Sequence, residues 1–411
     1  MSINVEKKHL IVISIIAFFI YQLVNFLYFP LSTVFPDEQR FIGRAILFAQ
    51  TGTFGANGGT AWEMPFASVY FAFFYKLVGN EENLIIFVRI FQSLLLILQA
   101  LLLYKISLKI FNNKLTAFLT FIVVLIYPYF IYYQGLLLSE TIFNTLLVVS
   151  FYFVYSWYET DFEINRYFIL SNLFLVISIY IKATLSLLVP LLLAGFYFFN
   201  KYKVGNTLKI LLYSFILYSL FLSPWWIRNY TLFNTFVPFT TTSAWNLYLG
   251  NNPYNLNGGC DWSKDVDKNV VKRISKITSE VEKNKAYNDE AIQFIKENPQ
   301  RFFELAILKL QRFYSIVPNA DGYNSGYFKW ISIISYGPIF ILFLISIVMH
   351  IKMYKKLSVI YILFIYFTLI HMVVIASLRY RLPLELFMIL LSMPIVTQVL
   401  QYRWNKRNKD G

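Results

Sequence analysis

Long uninterrupted apolar runs are the feature that most constrains how this chain can fold. Residues 11–30, 115–133, 331–349 and 357–375 are such runs, and each reaches the roughly 18–20 residues that an α-helix needs to cross the core of a bilayer. They show no alternation of apolar and polar residues, so they do not indicate half-buried strands. Only 14% of the residues are charged, whereas soluble domains carry roughly a quarter. The sequence therefore predicts an all-α polytopic membrane protein.

About ten membrane-spanning helices are predicted, and the loops between them are alternately basic and non-basic. Because Lys and Arg collect in cytoplasmic loops, both termini are expected inside. The net charge of +14 then reflects topology rather than nucleic-acid binding. A composition heavy in Ile, Phe, Asn and Lys favours a bacterial plasma (inner) membrane. The predicted spans are residues 9–30, 84–104, 115–133, 136–157, 167–181, 184–200, 208–227, 328–349, 358–376 and 382–400.

Two long outer segments divide the chain into three parts. An N-terminal transmembrane module, residues 1–228, contains the first outer loop at 31–83. A large extracytoplasmic loop covers 229–327, and residues 328–411 form the C-terminal helices and a basic cytoplasmic tail.

Two helix starts are predicted in the large loop. Asn288-Asp289-Glu290 indicates one, and Asn298-Pro299 indicates the other. From Pro299 to Ser315 apolar residues interleave with basic ones, including Lys309, which predicts an amphipathic helix on the membrane surface.

Charged residues at the outer interface are candidates for a functional site, because polar groups near a membrane are costly and tend to mark function. Both signs of charge are present, so a simple patch for lipid headgroups does not explain them. Each also has a structural interpretation: Asp37 as a helix-start acid, and Lys182, Arg228 or Arg379 as headgroup anchors. The candidates are Asp37, Glu38, Arg40, Glu63, Glu140, Lys182, Arg228, Arg379 and Arg381.

Several short motifs occur along the chain in an order and spacing that are together specific. They are an acidic pair in Phe35–Phe41, a Pro-containing segment at Glu63–Phe66, a helix start at Leu137–Glu140, Pro224–Tyr230 with Trp245–Pro253, and Arg379–Pro383. Together they resemble the GT-C-fold glycosyltransferases of the protein O-mannosyltransferase and aminoarabinose-transferase superfamily, the glycosyltransferase 39-like group. The resemblance covers nearly the whole chain and implies a GT-C-like bundle with outer-face amphipathic helices and one large outer loop. The chain departs from the family at Met64–Ala67, which lacks the usual Pro-Pro step.

The resemblance implies sugar transfer from a polyprenyl-phosphate donor to an acceptor hydroxyl at the outer face. Asp37 would be the base, and Glu38 would orient the acceptor or support Asp37. A single displacement would invert the anomeric centre. The anionic leaving group needs cations rather than a general acid. The residues expected in substrate binding are Glu140, Lys182, Arg228, Asn246, Asn251, Arg379 and Arg381. Asn246 and Asn251 are equally consistent with turn residues.

No cofactor is required by this scheme. The histidines are His9, His350 and His371; two fall on the cytoplasmic side, so no His-based metal site is expected, while a divalent cation held by carboxylates stays open. The expected partners are the lipid-linked donor, a hydroxyl on a cell-surface glycan or lipid, and membrane lipid.

Three alternatives remain open. The first is a protein O-glycosyltransferase, which differs only in its acceptor. The second is an O-antigen-type polymerase or ligase, which relies on outer-loop arginines; the acidic pair Asp37-Glu38 argues against it. The third is a lipid-linked sugar transporter, which would place polar groups near the bilayer midplane, where the sequence has almost no charge.

Overall fold

The computed structural model describes residues 6–55, 59–319 and 323–410, and all the regular structure in these ranges is helical. The helices are α1 (Lys7–Tyr28), α2 (Pro36–Thr51), α3 (Phe66–Val78), α4 (Glu81–Phe111), α5 (Lys114–Ile126), α6 (Pro128–Gln134), α7 (Glu140–Glu159), α8 (Arg166–Ile179), α9 (Leu188–Lys201), α10 (Val204–Phe233), α11 (Ser243–Gly250), α12 (Lys268–Ser275), α13 (Glu280–Glu297), α14 (Pro299–Phe313), α15 (Gly326–Met349), α16 (Tyr354–Val373) and α17 (Leu378–Asp410).

Seven helices of the described chain are long and apolar enough to cross a membrane: α1, α4, α7, α10, α15, α16 with the turn before it, and α17. An eighth span is formed if α5 and α6 count as one, bent by 51°. The bend has a local cause, because Pro128 begins α6 and cannot donate a backbone hydrogen bond to the turn before it. The predicted spans at 167–181 and 184–200 are helices of 14 residues each. Both are shorter than a full crossing, so the count of about ten stays a prediction.

The two segments predicted as outer loops, which we continue to call the outer segments, contain several helices, and two expectations about them need correction. No helix begins at Asn288, because α13 already begins at Glu280, where the Ser279 hydroxyl accepts a hydrogen bond from the Glu282 amide at 3.3 Å. Helix α14 does begin at Pro299, but Lys309 does not lie on its polar face. Its side chain is buried, together with Leu305 and Phe313.

Lys309 joins the large outer segment to the end of a membrane helix. Its ammonium donates to the carbonyls of Gly250 at 3.2 Å and Val373 at 3.0 Å, and to the side-chain oxygen of Asn251 at 3.0 Å. Gly250 ends α11 directly against the backbone that follows α16. A Cβ added there would lie 1.7 Å from the carbonyl oxygen of Val374, so no other residue fits this contact.

Helix α17 forms the centre of the bundle. It contacts α4, α5, α7, α14, α15 and α16. Its side chains from Leu382 to Ser392 are buried. The start of α17 therefore lies among the ends of several other helices, and there the candidate residues meet.

Candidate active site

Four charged side chains from separate parts of the chain meet in one cluster, which we call the charged cluster: Asp37, Glu140, Lys182 and Arg379. They lie at the starts of α2, α7 and α17 and just after α8. The guanidinium of Arg379 donates to the carboxylates of both Asp37 and Glu140. The Lys182 ammonium donates to the same Glu140 carboxylate at 2.8 Å. Arg379 is thus shared by two acids, and the cluster holds two negative and two positive groups.

Glu38 places Asp37 at this position. Its carboxylate is completely buried and accepts three backbone hydrogen bonds. Two come from the amides of Val34 and Phe35, at 2.7 and 2.8 Å, immediately before α2. The third comes from Leu137 at 2.7 Å, three residues before Glu140. Glu38 therefore ties the start of α2 to the start of α7, and it is not exposed for contact with an acceptor.

The surroundings keep Asp37 ionised. Burial alone would raise the pKa of its carboxyl, but Arg379 and Arg40 hold that pKa below its usual value. Arg40 lies 3.0 Å from Asp37 and also pairs with Glu63 at 3.1 Å. Burial lowers the pKa of Lys182, although the neighbouring Glu140 carboxylate favours its charged form. The side chain of Asp37 remains about one-third exposed, at 32%, so a substrate group can reach it.

A cavity of about 1040 Å³ opens beside Arg379. This is at the upper end of the volumes that hold small-molecule ligands. One wall is aromatic and reaches the outside of the bundle, where Tyr28 and Tyr327 are 77% and 67% exposed. Another part of the wall is polar and comes from the large outer segment, the end of α14 and the start of α17. The aromatic residues include Tyr28, Phe29, Tyr129, Tyr132, Tyr133 and Tyr327, and the polar ones include Asp261, Lys264, Asp265 and Arg312.

Arg312 is a candidate that the sequence analysis did not select. It lines the cavity near the end of α14. Its Nε is buried and has no hydrogen-bond partner within the described part of the chain. A guanidinium N–H without a partner is costly in the interior, which makes Arg312 a candidate for binding an anion from the cavity. The signal was present in the sequence, where Arg312 lies among the basic residues of the helix from Pro299.

Arg381 lies outside the cavity, although only one residue separates it from Arg379. Its side chain is fully buried, and its Nε donates to Glu385 at 2.6 Å. Its Nη1 donates to the carbonyls of Phe313 at 3.0 Å and Ser315 at 2.7 Å. Arg381 therefore fixes the start of α17 against the end of α14 and does not face a substrate in the cavity.

The remaining predicted residues also lie apart from the charged cluster. Arg228 donates to the carbonyl of Thr60 at 2.9 Å and so holds the first outer segment against α10. Asn251 is buried, and its amide donates to the carbonyls of Leu247 and Val373, each at 2.8 Å. Asn246 is half-buried within α11. The structure therefore brings Asp37, Glu140, Lys182 and Arg379 together and leaves Arg228, Asn246, Asn251 and Arg381 elsewhere.

The described residues include no three-residue ligand set for a divalent cation, so such an ion would depend on further ligands from substrate or water. Across residues 6–55, 59–319 and 323–410 no three His, Cys, Asp or Glu side chains are close enough to share a metal ion. Both carboxylates of the cluster, Asp37 and Glu140, are engaged with the Arg379 guanidinium, which a cation would have to displace. His371 is buried, and its Nδ1 lies 2.8 Å from the carbonyl oxygen of Ile375.

Comparisons with known proteins identify the fold. No family model and no curated protein matches the sequence. The oligosaccharyltransferase from Archaeoglobus fulgidus is similar in structure, with a TM-score of 0.59, 12% identity, and coverage of 99% of this chain and 52% of that one. The archaeal oligosaccharyltransferase AglB from Archaeoglobus fulgidus, in complex with an inhibitory peptide and a dolichol-phosphate, gives a TM-score of 0.57 at 12% identity, covering 96% and 52%.

ArnT from Cupriavidus metallidurans bound to undecaprenyl phosphate gives a TM-score of 0.48 at 11% identity, covering 93% and 76%. The alignments with the oligosaccharyltransferase structures show that this chain spans about half of their length. At these identities the likeness concerns the fold. The protein has the GT-C fold of a polytopic membrane protein.

Proposed function

We propose that this protein is a membrane glycosyltransferase that moves a sugar from a polyprenyl-phosphate donor to a hydroxyl of a cell-surface glycan or lipid. The observation that carries the proposal is the contact of Asp37 with Arg379, whose side chain lines an aromatic cavity. One partner can accept a proton and the other can bind a phosphate. The solved complex of AglB with a dolichol-phosphate has the same fold, which supports a lipid phosphate as the donor's carrier.

The cavity suits an amphiphilic donor. Its aromatic wall, including Tyr132 and Tyr133, offers an apolar surface for the isoprenoid chain. Its polar wall holds two guanidinium groups, Arg312 and Arg379, that can bind phosphate oxygens bidentately. Lys182 stands behind Arg379 and adds positive charge to the same region. We assign the phosphate to Arg379 and Arg312, with Lys182 as an electrostatic contributor.

The proposed reaction is a single displacement at the anomeric carbon. The acceptor oxygen forms a bond to that carbon while the carbon–oxygen bond to phosphate breaks, and the lipid phosphate leaves with the electron pair. The proton of the acceptor hydroxyl passes to Asp37. The arginines stabilise the charge that develops on the leaving phosphate. Attack from the face opposite the phosphate inverts the anomeric centre.

The ion pair between Asp37 and Arg379 couples donor binding to the base. While Arg379 contacts Asp37, the carboxylate is a weak proton acceptor because its pKa is lowered. A donor phosphate competes for the same guanidinium. Withdrawal of Arg379 toward the phosphate raises the basicity of Asp37 when the sugar arrives. Glu38 acts as a positioning residue in this scheme, because its oxygens are occupied by backbone amides.

The orientation of the site follows from the positive-inside rule. Arg166, Lys201, Lys352, Lys355 and Lys356 lie at the ends of the helices opposite to the charged cluster. We therefore place the cluster on the outer face of a plasma membrane. A tag at the C-terminus or at Lys203 should be protected from outside reagents, whereas a label near Asn257 should be accessible. If Asn257 and Lys203 were labelled from the same side of the membrane, the proposed topology would be wrong.

The decisive experiment combines transfer in vitro with the chemistry of the cell surface. Purified protein in lipid nanodiscs is given a series of polyprenyl-phosphate sugars, and transfer to acceptor extracts is followed by mass spectrometry. A deletion strain should lose one sugar from its surface glycans or lipids, which names the sugar and the acceptor together. Sugar-dependent release of polyprenyl phosphate by the wild type, but not by an Asp37→Asn variant, is the expected result. An intact set of surface glycans, lipids and glycoproteins in the deletion strain would contradict the proposal.

A further inference from the structure

A second cavity lies at the opposite end of the bundle from the charged cluster. Its volume is about 600 Å³, and it lies among the ends of α7 and α9 and the turn that precedes α16. Helix α7 begins at Glu140 in the charged cluster and ends at Glu159 in this second cavity. At 1.5 Å per residue, 20 residues separate the two by about 30 Å. We call it the inner lysine pocket; its charged lining residues are Glu159, Asp161, Lys201, Lys352, Lys355 and Lys356.

The pocket carries an excess of positive charge. Its two carboxylates are already paired, Asp161 with Lys201 and Glu159 with Lys109. The Lys356 ammonium donates to the carbonyl of Ile110 at 3.0 Å. Within the described residues no carboxylate forms an ion pair with Lys352, Lys355 or Lys356. Lys352 and Lys355 are thus without a close negative partner in the described chain, while Lys356 interacts only at longer range with the carboxylate of Glu159.

The backbone increases this positive potential. Helix α16 begins at Tyr354, so Lys355 and Lys356 lie in its first turn, and that turn has no acidic residue. The N-terminus of a helix carries partial positive charge, which favours anions and disfavours lysines. Two lysines at the N-terminus of this 20-residue helix therefore experience electrostatic repulsion. A bound anion would reduce that repulsion.

The chain immediately before the lysines of the pocket exposes apolar side chains, which we call the apolar rim. Val348 is 73% exposed and Ile351 is 59% exposed, on either side of the turn that leads to Lys352. Tyr202 and Tyr354 are also exposed, and their hydroxyls lie 2.6 Å apart beside Lys355, whose ammonium is 5.0 Å from the Tyr202 ring. A ligand here meets cations within the pocket and apolar or aromatic surface at its edge. Basic pockets between helix ends at the cytoplasmic side suit anionic lipid headgroups.

We propose that the inner lysine pocket binds the phosphate headgroup of an anionic membrane phospholipid, with Lys352 and Lys355 as its main contacts. The acyl chains then lie against the apolar rim formed by Val348 and Ile351. A lipid bound there would clamp the turn between α15 and α16 against the ends of α7 and α9. This site is independent of the proposed sugar transfer, since it lies at the other end of the helices.

The test is a lipid titration of the purified full-length protein in a neutral detergent. Occupancy is read by native mass spectrometry and stability by thermal unfolding, with phosphatidylglycerol, phosphatidylcholine or inorganic phosphate added. The variant K352Q/K355Q removes two charges from the pocket. The matched control K203Q/K209Q removes two charges from the same end of the bundle, outside the pocket. The variant K352R/K355R keeps the charge.

We expect the wild-type protein to retain phosphatidylglycerol in preference to phosphatidylcholine. Phosphatidylglycerol should also raise its thermal stability more than phosphatidylcholine does. K352Q/K355Q should bind phosphatidylglycerol roughly 25-fold more weakly, about fivefold for each lysine, whereas K203Q/K209Q and K352R/K355R should behave as the wild type. An equal loss in K203Q/K209Q would show general surface attraction and overturn the site. Equal stabilisation by inorganic phosphate would make the ligand a free anion and overturn the lipid assignment.

Discussion

Asp37 and Arg379 are separated by 342 positions in the sequence and form one ion pair, in which Arg379 lines the larger cavity. The pair joins the first outer helix to the start of the last membrane helix. Glu140 holds another edge of the same guanidinium, so Arg379 is fixed from two sides. Because Asp37 is partly exposed while Glu140 is buried, a ligand that draws on Arg379 would compete first with Asp37.

The substitution Asp37→Asn separates a chemical role from a structural one. Asparagine is nearly isosteric and serves almost equally well at a helix start, so folding should change little. Donor binding should not weaken, because the carboxylate of Asp37 competes with the donor phosphate for Arg379. It cannot accept the proton of the acceptor, so turnover should fall by about 10²–10⁴-fold. Transfer rate, detergent stability and donor affinity are measured together.

Asp267→Asn is the matched control for this experiment. Asp267 caps α12 through the Asn269 amide at 2.8 Å, far along the chain from the charged cluster. That variant should retain full turnover. Normal turnover by a well-folded Asp37→Asn protein would remove the base assignment.

Replacement of Arg379 tests the assignment of the phosphate. Arg379→Ala should weaken donor use by about 2–4 kcal/mol, because a charge-assisted contact to phosphate is lost in a site that excludes water. Arg379→Lys should recover only part of this, since lysine lacks the planar fork. Steady-state donor kinetics provide the measurement. Arg273→Ala, in a surface pair with Glu290, should be close to neutral, and equal effects at Arg273 and Arg379 would argue against a specific role.

The buried ion pair of Arg381 and Glu385 should matter for stability. The carboxylate of Glu385 also accepts a hydrogen bond from Tyr127 at 2.6 Å. Because glutamine is uncharged, Glu385→Gln leaves the buried guanidinium of Arg381 without its counter-charge. We expect a loss of about 3–5 kcal/mol, measured as the free energy of unfolding in detergent. The double variant Arg381→Met/Glu385→Leu removes both charges and should recover much of this loss. A double variant less stable than Glu385→Gln would show that the pair itself is strongly stabilising.

Lys309 predicts a specific dependence of stability on pH. Burial lowers the pKa of its ammonium from 10.5 to about 7 in the folded protein. Between these values the unfolded chain retains a proton that the folded protein has released, so stability rises with pH, by up to about 1.4 kcal/mol per pH unit. Lys309→Met should lack this rise. Unfolding of both proteins is compared from pH 7 to pH 9, and parallel profiles would contradict the titration of Lys309.

The apolar runs were sufficient to predict where the long membrane helices lie, because hydrophobic length is a direct consequence of bilayer thickness. Shorter elements were missed for the same reason. Helix α3 has only 13 residues and was included in an outer loop. Helices α8 and α9 were predicted as full spans, and the apolar pattern alone does not show where such a helix ends.

The site was only partly predictable, as Arg379 and Arg381 illustrate. Both were predicted to be phosphate ligands. However, side chains two positions apart on an α-helix point in directions that differ by about 200°. One therefore faces the cavity and the other faces the core, and only tertiary packing decides which. Two buried charges were within reach of sequence analysis. Lys309 lies at the same helical spacing as Leu305 and Phe313, and Glu385 is four residues after Arg381 within an apolar run.

The charged cluster contains equal numbers of positive and negative groups. This balance affects how the proposed enzyme would release the lipid phosphate after transfer. A sugar linked through phosphate to a lipid carries one negative charge, whereas the freed lipid phosphate carries nearly two near neutral pH. A purely cationic site would hold the spent carrier more tightly than the fresh donor and stall after one turnover. Here Asp37 and Glu140 remain beside Arg379 and compete for it. Their return to the guanidinium would help expel the carrier and ready the site for the next sugar.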